Sequence, residues 1–318
     1  MQQYSLNNWL EWYYDDELFG RQDPNNFKKF VTRYNCNIKE VGTYKEELLK
    51  TAINTLEHYD SKDLTLCFSG GVDSEVILRT YLELGHKLNV VIYRYEDNLN
   101  AHDIYYAEKV CEQLNVPYNI IDFNLKKFFE NDASSMIEAC QVDKPLQLIG
   151  CRFLEITDGI PIAGEGELWL CMRPGGFDAE NKFNYYWANC ECSQEFAREM
   201  YVDYVGKKAI PKWFQWRPEI LLSALKSDYV KKLTSNHYKD VYCSLDNLYE
   251  LYKPWFPDLI KRPKYSGFEK CFDLPIVNEF KKELVKHSGR RLEFNQPHDR
   301  TVQQTINELR GVSIMSKN

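Results

Sequence analysis

The residues with the clearest chemical meaning form one short segment, SGGVDS, at positions 69–74. Two adjacent glycines let the backbone N–H groups of a tight turn approach an anion, and a following helix start favours negative charge there. The missing lysine excludes the GxxxxGK[ST] loop, and the spacing differs from GxGxxG. A carboxylate in a phosphate site repels its ligand unless a cation lies between them. The carboxylate of Asp73 therefore indicates a Mg²⁺ ion between the protein and the phosphates. The alternative is a tight strand-to-helix turn in which Asp73 and Ser74 only cap the helix.

The surrounding pattern predicts the elements that hold this segment. Residues 64–68 form a short apolar run that suits a buried parallel strand, whereas residues 44–59 and 75–84 carry apolar side chains at helical spacing. Further strands are predicted at 88–93, 118–123 and 160–163, a further helix at 103–114, and mainly helices after residue 195. Strands alternating with such helices predict an α/β fold with an open, doubly wound parallel sheet, in which ligands bind beyond the carboxyl ends of the strands.

Composition limits the classes of protein and partner. No apolar run approaches the roughly 18 residues of a membrane span, and the N-terminus lacks the pattern of a secretory signal, so we expect a cytoplasmic protein without a membrane partner. Forty basic residues stand against 47 acidic ones, a net charge of −7. Because nucleic-acid-binding chains usually carry a basic surplus, a nucleic-acid partner is disfavoured.

The segment SGGVDS after the first strand of such a sheet resembles the signature of the PP-loop ATP pyrophosphatase superfamily, the adenine nucleotide α-hydrolases. The resemblance implies cleavage of ATP between its α and β phosphates, with Mg²⁺ offsetting the charge of pyrophosphate, and an adenylylated substrate. The phosphate-binding residues that it implies are Ser69, Gly70, Gly71, Val72, Asp73 and Ser74. The adenine-binding residues that it implies, through their backbone, are Phe68, Ile92 and Tyr93.

Other segments resemble the asparagine synthetase family. They are GIPIAGEGEL at 159–168, the pattern DxxxA at 103–107 and RPKYSGF at 262–268. This resemblance implies that Glu165 and Lys264 form a catalytic pair beside the reacting carbonyl, where a fixed cation stabilises developing negative charge. The family's magnesium-binding aspartate after GEG is missing, because this element is two residues shorter. Glu167 then replaces it as a metal ligand beside Asp73, or Asp73 binds Mg²⁺ with phosphates and water alone.

The resemblance also suggests a division of the chain and a reaction. We expect an aromatic-rich N-terminal segment at 1–43, an ATP-binding synthetase core at 44–240 and a helical C-terminal extension at 241–318 that completes the active site. Only 68 residues precede the loop, so no glutaminase domain is expected. The expected enzyme is an AMP- and pyrophosphate-forming carbon–nitrogen ligase that adenylylates a carboxylate for attack by an amine, or by ammonia from solution or a separate subunit.

Three arginines are candidates for binding the substrate carboxylate, because a guanidinium pairs well with it: Arg94, Arg152 and Arg173. Two other functions stay open. One is an ATP-dependent enzyme that modifies tRNA or a nucleobase, which the acidic balance and the absence of any CxxC pair disfavour. The other is a nucleotide-binding protein without catalysis, which the shortened GEGEL element favours.

Overall fold

The computed structural model describes residues 9–14, 17–18, 30–59, 63–140, 145–166, 168, 170–177, 183–187, 193–235, 245–263, 268–288 and 301–312. Its strands are β1 (Leu10–Tyr14), β2 (Glu17–Leu18), β3 (Phe30–Tyr34), β4 (Leu64–Cys67), β5 (Asn89–Tyr95), β6 (Asn119–Phe123), β7 (Ile160–Ile162), β8 (Leu170–Phe177) and β9 (Phe183–Trp187). Its α-helices are α1 (Tyr44–His58), α2 (Val72–Glu83), α3 (Ala101–Leu114), α4 (Leu125–Lys127), α5 (Ala133–Cys140), α6 (Pro145–Ile156), α7 (Ser193–Val205), α8 (Pro218–Leu225), α9 (Asp228–Ser235), α10 (Leu245–Tyr252), α11 (Phe268–Phe272), α12 (Pro275–Ser288) and α13 (Val302–Leu309).

The central sheet has four parallel strands in the order β6-β5-β4-β7. Leu64 and Leu66 of β4 are fully buried, as expected for an inner strand covered by helices on both faces. Beyond β7, Ile210 forms a single parallel bridge with Ile162. The strand order reverses between β4 and β7, so the carboxyl ends of these two strands border the crevice where such sheets bind ligands. The predicted α/β fold with a parallel sheet is confirmed.

Two element boundaries differ from the sequence-based expectation. Helix α2 begins at Val72, before the expected residue 75, because Gly71 already takes the extended conformation of an N-cap (φ −70°, ψ 158°). Strand β5 continues to Tyr95, beyond the expected residue 93. Its pairing with β6 continues to Tyr95, which lies opposite Phe123. The Asn100 side chain also holds this end of the strand: its Nδ2 donates to the Tyr93 carbonyl at 2.8 Å and its Oδ1 accepts from the Tyr95 N–H at 2.9 Å.

The N-terminal segment contains strands that its sequence did not predict. Strands β1, β2 and β3 form an antiparallel sheet in the order β2-β1-β3. Trp9, directly before β1, is buried in the main core, and its indole Nε1 donates to the Gln215 carbonyl at 2.8 Å. Past β3, at the same end of the sheet, the Ile38 N–H donates to the Leu309 carbonyl of α13 at 3.0 Å. The segment is therefore tied to two distant parts of the chain.

Helix α2 lies deep in the core. Val76, Ile77 and Leu78 are all fully buried, so the helix is covered on several sides rather than along one stripe. The loop before α2 is consequently fixed by packing on the whole helix. Among the described helices, none combines the length and the apolar composition needed to cross a bilayer.

We predict that Trp9→Phe lowers the free energy of unfolding by about 1–3 kcal/mol, because it leaves the buried Gln215 carbonyl without its donor and shrinks a packed side chain. Trp216→Phe is the matched control, since the indole of this half-buried residue donates to Asn54 Oδ1 at 2.8 Å in an exposed hydrogen bond. Urea unfolding followed by circular dichroism measures both. Equal losses in the two variants would contradict the buried contact.

Candidate active site

The loop after β4 and the residues after β7 meet at the switch point of the sheet. Gly164, two residues after β7, lies so close to the loop that an added Cβ would stand 3.2 Å from the Ser74 backbone nitrogen. A side chain at position 164 would therefore press on the first turn of α2. The fold thus brings the SGGVDS segment and the GEG segment to one place, as the sequence predicted from two separate motifs.

The loop is held in shape by its own polar groups. Ser69 Oγ accepts from the Gly71 N–H at 3.1 Å, and Ser74 Oγ donates to the Gly71 carbonyl at 2.9 Å. The N-cap residue Gly71 has no side chain, so the first turn of α2 lacks the usual side-chain cap. Its N–H groups point along the helix axis, which makes this turn suited to a phosphate group.

Gly70 has a requirement of its own. Its φ is +75°, and an added Cβ would collide with the Asp103 carbonyl oxygen and lie 3.0 Å from the Ala107 backbone nitrogen of α3. The DxxxA pattern at 103–107 therefore has a packing reason: one turn of α3 lies directly against the glycine loop. A larger residue at position 70 would separate them.

Asp73 is half-buried in the first turn of α2, and Tyr252 Oη donates to its Oδ1 at 2.7 Å. Burial raises the pKa of Asp73 to about 6, while the Tyr252 hydrogen bond and the charge of Arg262 oppose that shift. The carboxylate is thus mostly ionised near neutral pH. One ionised carboxylate beside a phosphate loop fits Mg²⁺, which commonly binds one or two carboxylates plus phosphates. No cluster of three metal-binding side chains occurs among the described residues, so phosphates and water would supply the remaining ligands.

Arg262, at the start of the RPKYSGF segment, is anchored beside the loop. Its guanidinium pairs with the fully buried Glu75 of α2, which also accepts from Arg79 Nε at 2.7 Å. The segment that contains Lys264 therefore begins next to the phosphate loop. Lys264 itself lies outside the described residues, and so does Glu167, so their catalytic and metal-binding roles stay predictions.

Glu165 pairs with Arg198 of α7, an ion pair that the sequence did not predict. Arg198 is buried and lies against Gly150 of α6, where an added Cβ would collide with its guanidinium. Arg198 Nε is buried and makes no hydrogen bond to the described residues. No motif marks Arg198 in the sequence. Its one sequence signal is that an arginine stands on the apolar face of a helix. Its contact with Gly150, far away in the chain, is visible only in the folded structure.

These groups line one cavity of about 320 Å³. Ser69, Asp73, Ser74, Glu165 and Arg198 all line it. The remaining described lining residues are Cys67, Tyr95, Asp103, Leu146, Ile149, Gly150, Phe153, Leu154, Ala163 and Gly164. The SGGVDS loop and the Glu165–Arg198 ion pair thus share one cavity.

Two of the three expected carboxylate-binding arginines do not line the cavity. Arg94 pairs with Asp122 on the exposed edge of the sheet at 2.6 Å, and Arg152 pairs with Glu155 at 2.7 Å on a part of α6 that does not line the cavity. The side chain of Arg173 lies outside the described residues. Sequence reasoning chose arginines for their guanidinium alone and missed Arg198, because only the packing of α7 on α6 brings it to the cavity.

Of the expected adenine-binding residues, Phe68 directly follows β4, whereas Ile92 and Tyr93 lie inside β5. The Phe68 N–H donates to the Val91 carbonyl at 2.8 Å, and Ile92 is buried in the core. The Tyr93 ring stacks on Phe153 with centroids 3.8 Å apart. Contact of these residues with adenine stays a prediction.

Residues 64–147 match the family model described as queuosine biosynthesis protein QueC. A stretch of 120 residues is 28% identical to the microcin J25-processing protein McjC of Escherichia coli, covering 36% of this chain and 22% of that protein. A stretch of 64 residues is 31% identical to the 7-cyano-7-deazaguanine synthase of Pseudoalteromonas translucida, covering 20% of this chain and 29% of that protein. The chain thus aligns with less than a third of the length of each of these curated relatives.

Similar solved structures include the NMN synthetase from Francisella tularensis, with 16% identity, a TM-score of 0.29 and coverage of 78% of this chain and 94% of that one. The NH3-dependent NAD synthetase from Campylobacter jejuni has 12% identity, a TM-score of 0.32 and coverage of 77% and 93%. The QueC match contains the whole SGGVDS loop, which here stands at the switch point of a parallel sheet. This motif, its place in the fold and the matched curated relatives all point to the PP-loop ATP pyrophosphatase superfamily.

Proposed function

We propose that the protein is an ATP-dependent amide-bond synthetase that forms AMP and pyrophosphate. The observation that carries the proposal is the shared cavity, in which the loop residues Ser69, Asp73 and Ser74 face the same space as Glu165 and Arg198. ATP whose phosphates lie on the loop would have its α-phosphate near a second substrate in that space. Holding both reactants in one cavity supplies proximity and orientation.

In the proposed reaction, a carboxylate oxygen of the substrate attacks the α-phosphorus of ATP. The new C–O–P linkage forms as the bond to the β-phosphate breaks, and the electron pair leaves with pyrophosphate. Ammonia or an amine then attacks the acyl carbon, AMP leaves and the nitrogen loses a proton. When bound at Asp73, Mg²⁺ would offset the phosphate charge.

The chain's own residues would bind and orient the reactants. The first turn of α2 would hold the phosphates through backbone N–H groups. Arg198, fixed by Glu165 and by its contact with Gly150, would place a cation beside the acyl group, and Lys264 is the second candidate cation. A cation fixed in advance where negative charge develops is among the largest contributions to catalysis.

The QueC match and the 7-cyano-7-deazaguanine synthase relative favour a second candidate function, the ATP-dependent modification of a nucleobase. The QueC match ends at residue 147, so it includes the loop and the first strands but only the first turn of α6. It therefore bears on the nucleotide side of the cavity more than on the substrate side.

Ammonia supply by a separate subunit is also part of the proposal. It is tested by comparing ammonium and glutamine as nitrogen sources.

We predict that Asp73→Asn lowers the rate of pyrophosphate release on the order of 100-fold, because it removes the charge that would hold Mg²⁺.

We predict that Tyr252→Phe raises the Mg²⁺ concentration for half-maximal rate about tenfold, since Asp73 Oδ1 loses the donor that orients it. Tyr81→Phe is the control, a buried tyrosine whose hydroxyl bonds to Thr55 and Trp213 far from the loop.

Product analysis of the unaltered protein should give AMP and pyrophosphate in equal amounts. Formation of ADP and phosphate would exclude the proposed chemistry. ATP binding without turnover would favour a non-catalytic protein.

We predict that Gly150→Ala lowers acid-dependent pyrophosphate release at least about tenfold while ATP still binds, because the new methyl group displaces the Arg198 guanidinium from Glu165. Alanine raises helix propensity in α6, so a general loss of stability is not the expected cause. Arg152→Lys serves as the control, because Arg152 is on the same helix and does not line the cavity. Steady-state assays report kcat and KM, and unchanged kcat in Gly150→Ala would remove Arg198 from the proposed mechanism.

A further inference from the structure

Helix α6 presents a single apolar face to the cavity. Leu146, Ile149, Gly150 and Phe153 line it and follow the spacing i, i+3, i+4, i+7, which places them on one side of a helix. None of the four carries a charged or hydrogen-bonding side chain. The part of the cavity wall that α6 forms is therefore hydrocarbon and aromatic.

The neighbouring lining residues extend this apolar wall. Ala163 and Leu154 are apolar, and Phe153 is held by its stack on Tyr93. Cys67 adds a thiol whose pKa burial raises to about 11, so it stays neutral near pH 7. Substrate atoms against this wall gain from leaving water only if they are themselves apolar.

The charged groups of the described lining residues act in the same direction. Their carboxylates are Asp73, Asp103 and Glu165, and the guanidinium among them, Arg198, is already paired with Glu165. A second substrate carboxylate against the apolar face of α6 would lose its hydration without gaining a partner from these residues.

We infer that the acid activated in this cavity carries a single carboxylate on a compact apolar body, an inference that rests on the proposed synthetase function. The carboxylate lies toward the α-phosphate and Arg198, and the body lies against the apolar face of α6. A dicarboxylic acid of the same length is rejected because its second charge would face Leu146 and Ile149. The cavity volume of about 320 Å³, which the acyl group shares with part of the nucleotide, restricts the body to a small branched or aromatic group.

Non-reactive mimics of the acyl-adenylate test this inference without knowledge of the natural acid. The probes are sulfamoyladenosine and its N-3-methylbutanoyl and N-succinyl derivatives, which are similar in length and differ in charge. Isothermal titration calorimetry with the full chain gives the three dissociation constants. We expect the 3-methylbutanoyl compound to bind about tenfold tighter than the succinyl compound. Equal or tighter binding of the succinyl compound would overturn the inference.

Matched variants on α6 locate the preference. Leu146→Asn should lower the ratio of the succinyl to the 3-methylbutanoyl dissociation constant several-fold, because it places an amide in the apolar wall. Ile156→Asn is the control: Ile156 is half-buried on the same helix and packs on the same core cluster, but does not line the cavity. An equal effect of both substitutions would contradict the assigned wall. If a variant does not fold, the ratio for the unaltered chain still decides.

Binding of MgATP, measured first, separates this inference from the proposed function. If ATP does not bind, the proposed function fails and the inference fails with it. If ATP and sulfamoyladenosine bind but the two acyl derivatives bind alike, the synthetase proposal stands and the inference on the acid is wrong.

Discussion

The buried helix α2 is the element on which the rest of the site depends. Its N-terminal turn carries the phosphate loop, and its sides contact α1, β4 and α10. Two polar contacts bind distant segments to it: Tyr252 donates to Asp73, and Arg262 pairs with Glu75. Glu75 is fully buried with two arginine partners, and removing one member of a buried ion pair typically costs about 3–5 kcal/mol. Tyr252 and Arg262 are therefore held against the first turn of α2 by contacts that are hard to exchange.

The cavity beside α2 has both polar and apolar lining residues, and the proposed reaction would use both. In that reaction the SGGVDS loop and Asp73 suit the charged nucleotide, whereas α6 offers apolar side chains to the second substrate. The Glu165–Arg198 pair lines the same cavity. Because a guanidinium held by a carboxylate costs little reorganisation, this pair would stabilise charge that develops in the proposed reaction.

Glycines fix the spacing of the site where backbones approach closely. Gly70 allows α3 to lie against the loop, and Gly150 allows Arg198 to lie across α6. The two glycines differ in how readily the sequence reveals their role. Gly70 has a positive φ and belongs to a recognisable motif, whereas Gly150 is in a helix interior, where it appears in the sequence only as a weak helix former.

The sequence by itself determined the class of fold, the position of the nucleotide loop and the meeting of SGGVDS with GEG. These features depend on local patterns: alternating strands and helices, a glycine turn at the end of a strand, and the rule that parallel strands end at one edge. Only the tertiary structure decided that Arg198, rather than Arg94 or Arg152, reaches the cavity, and that Tyr252 and Arg262 support the loop. Those contacts join residues far apart in the chain, and long-range packing of one helix on another leaves no fixed spacing in the sequence. The antiparallel N-terminal sheet was missed for a related reason, because its pairing depends on partners across a turn and on a core that only the folded chain supplies.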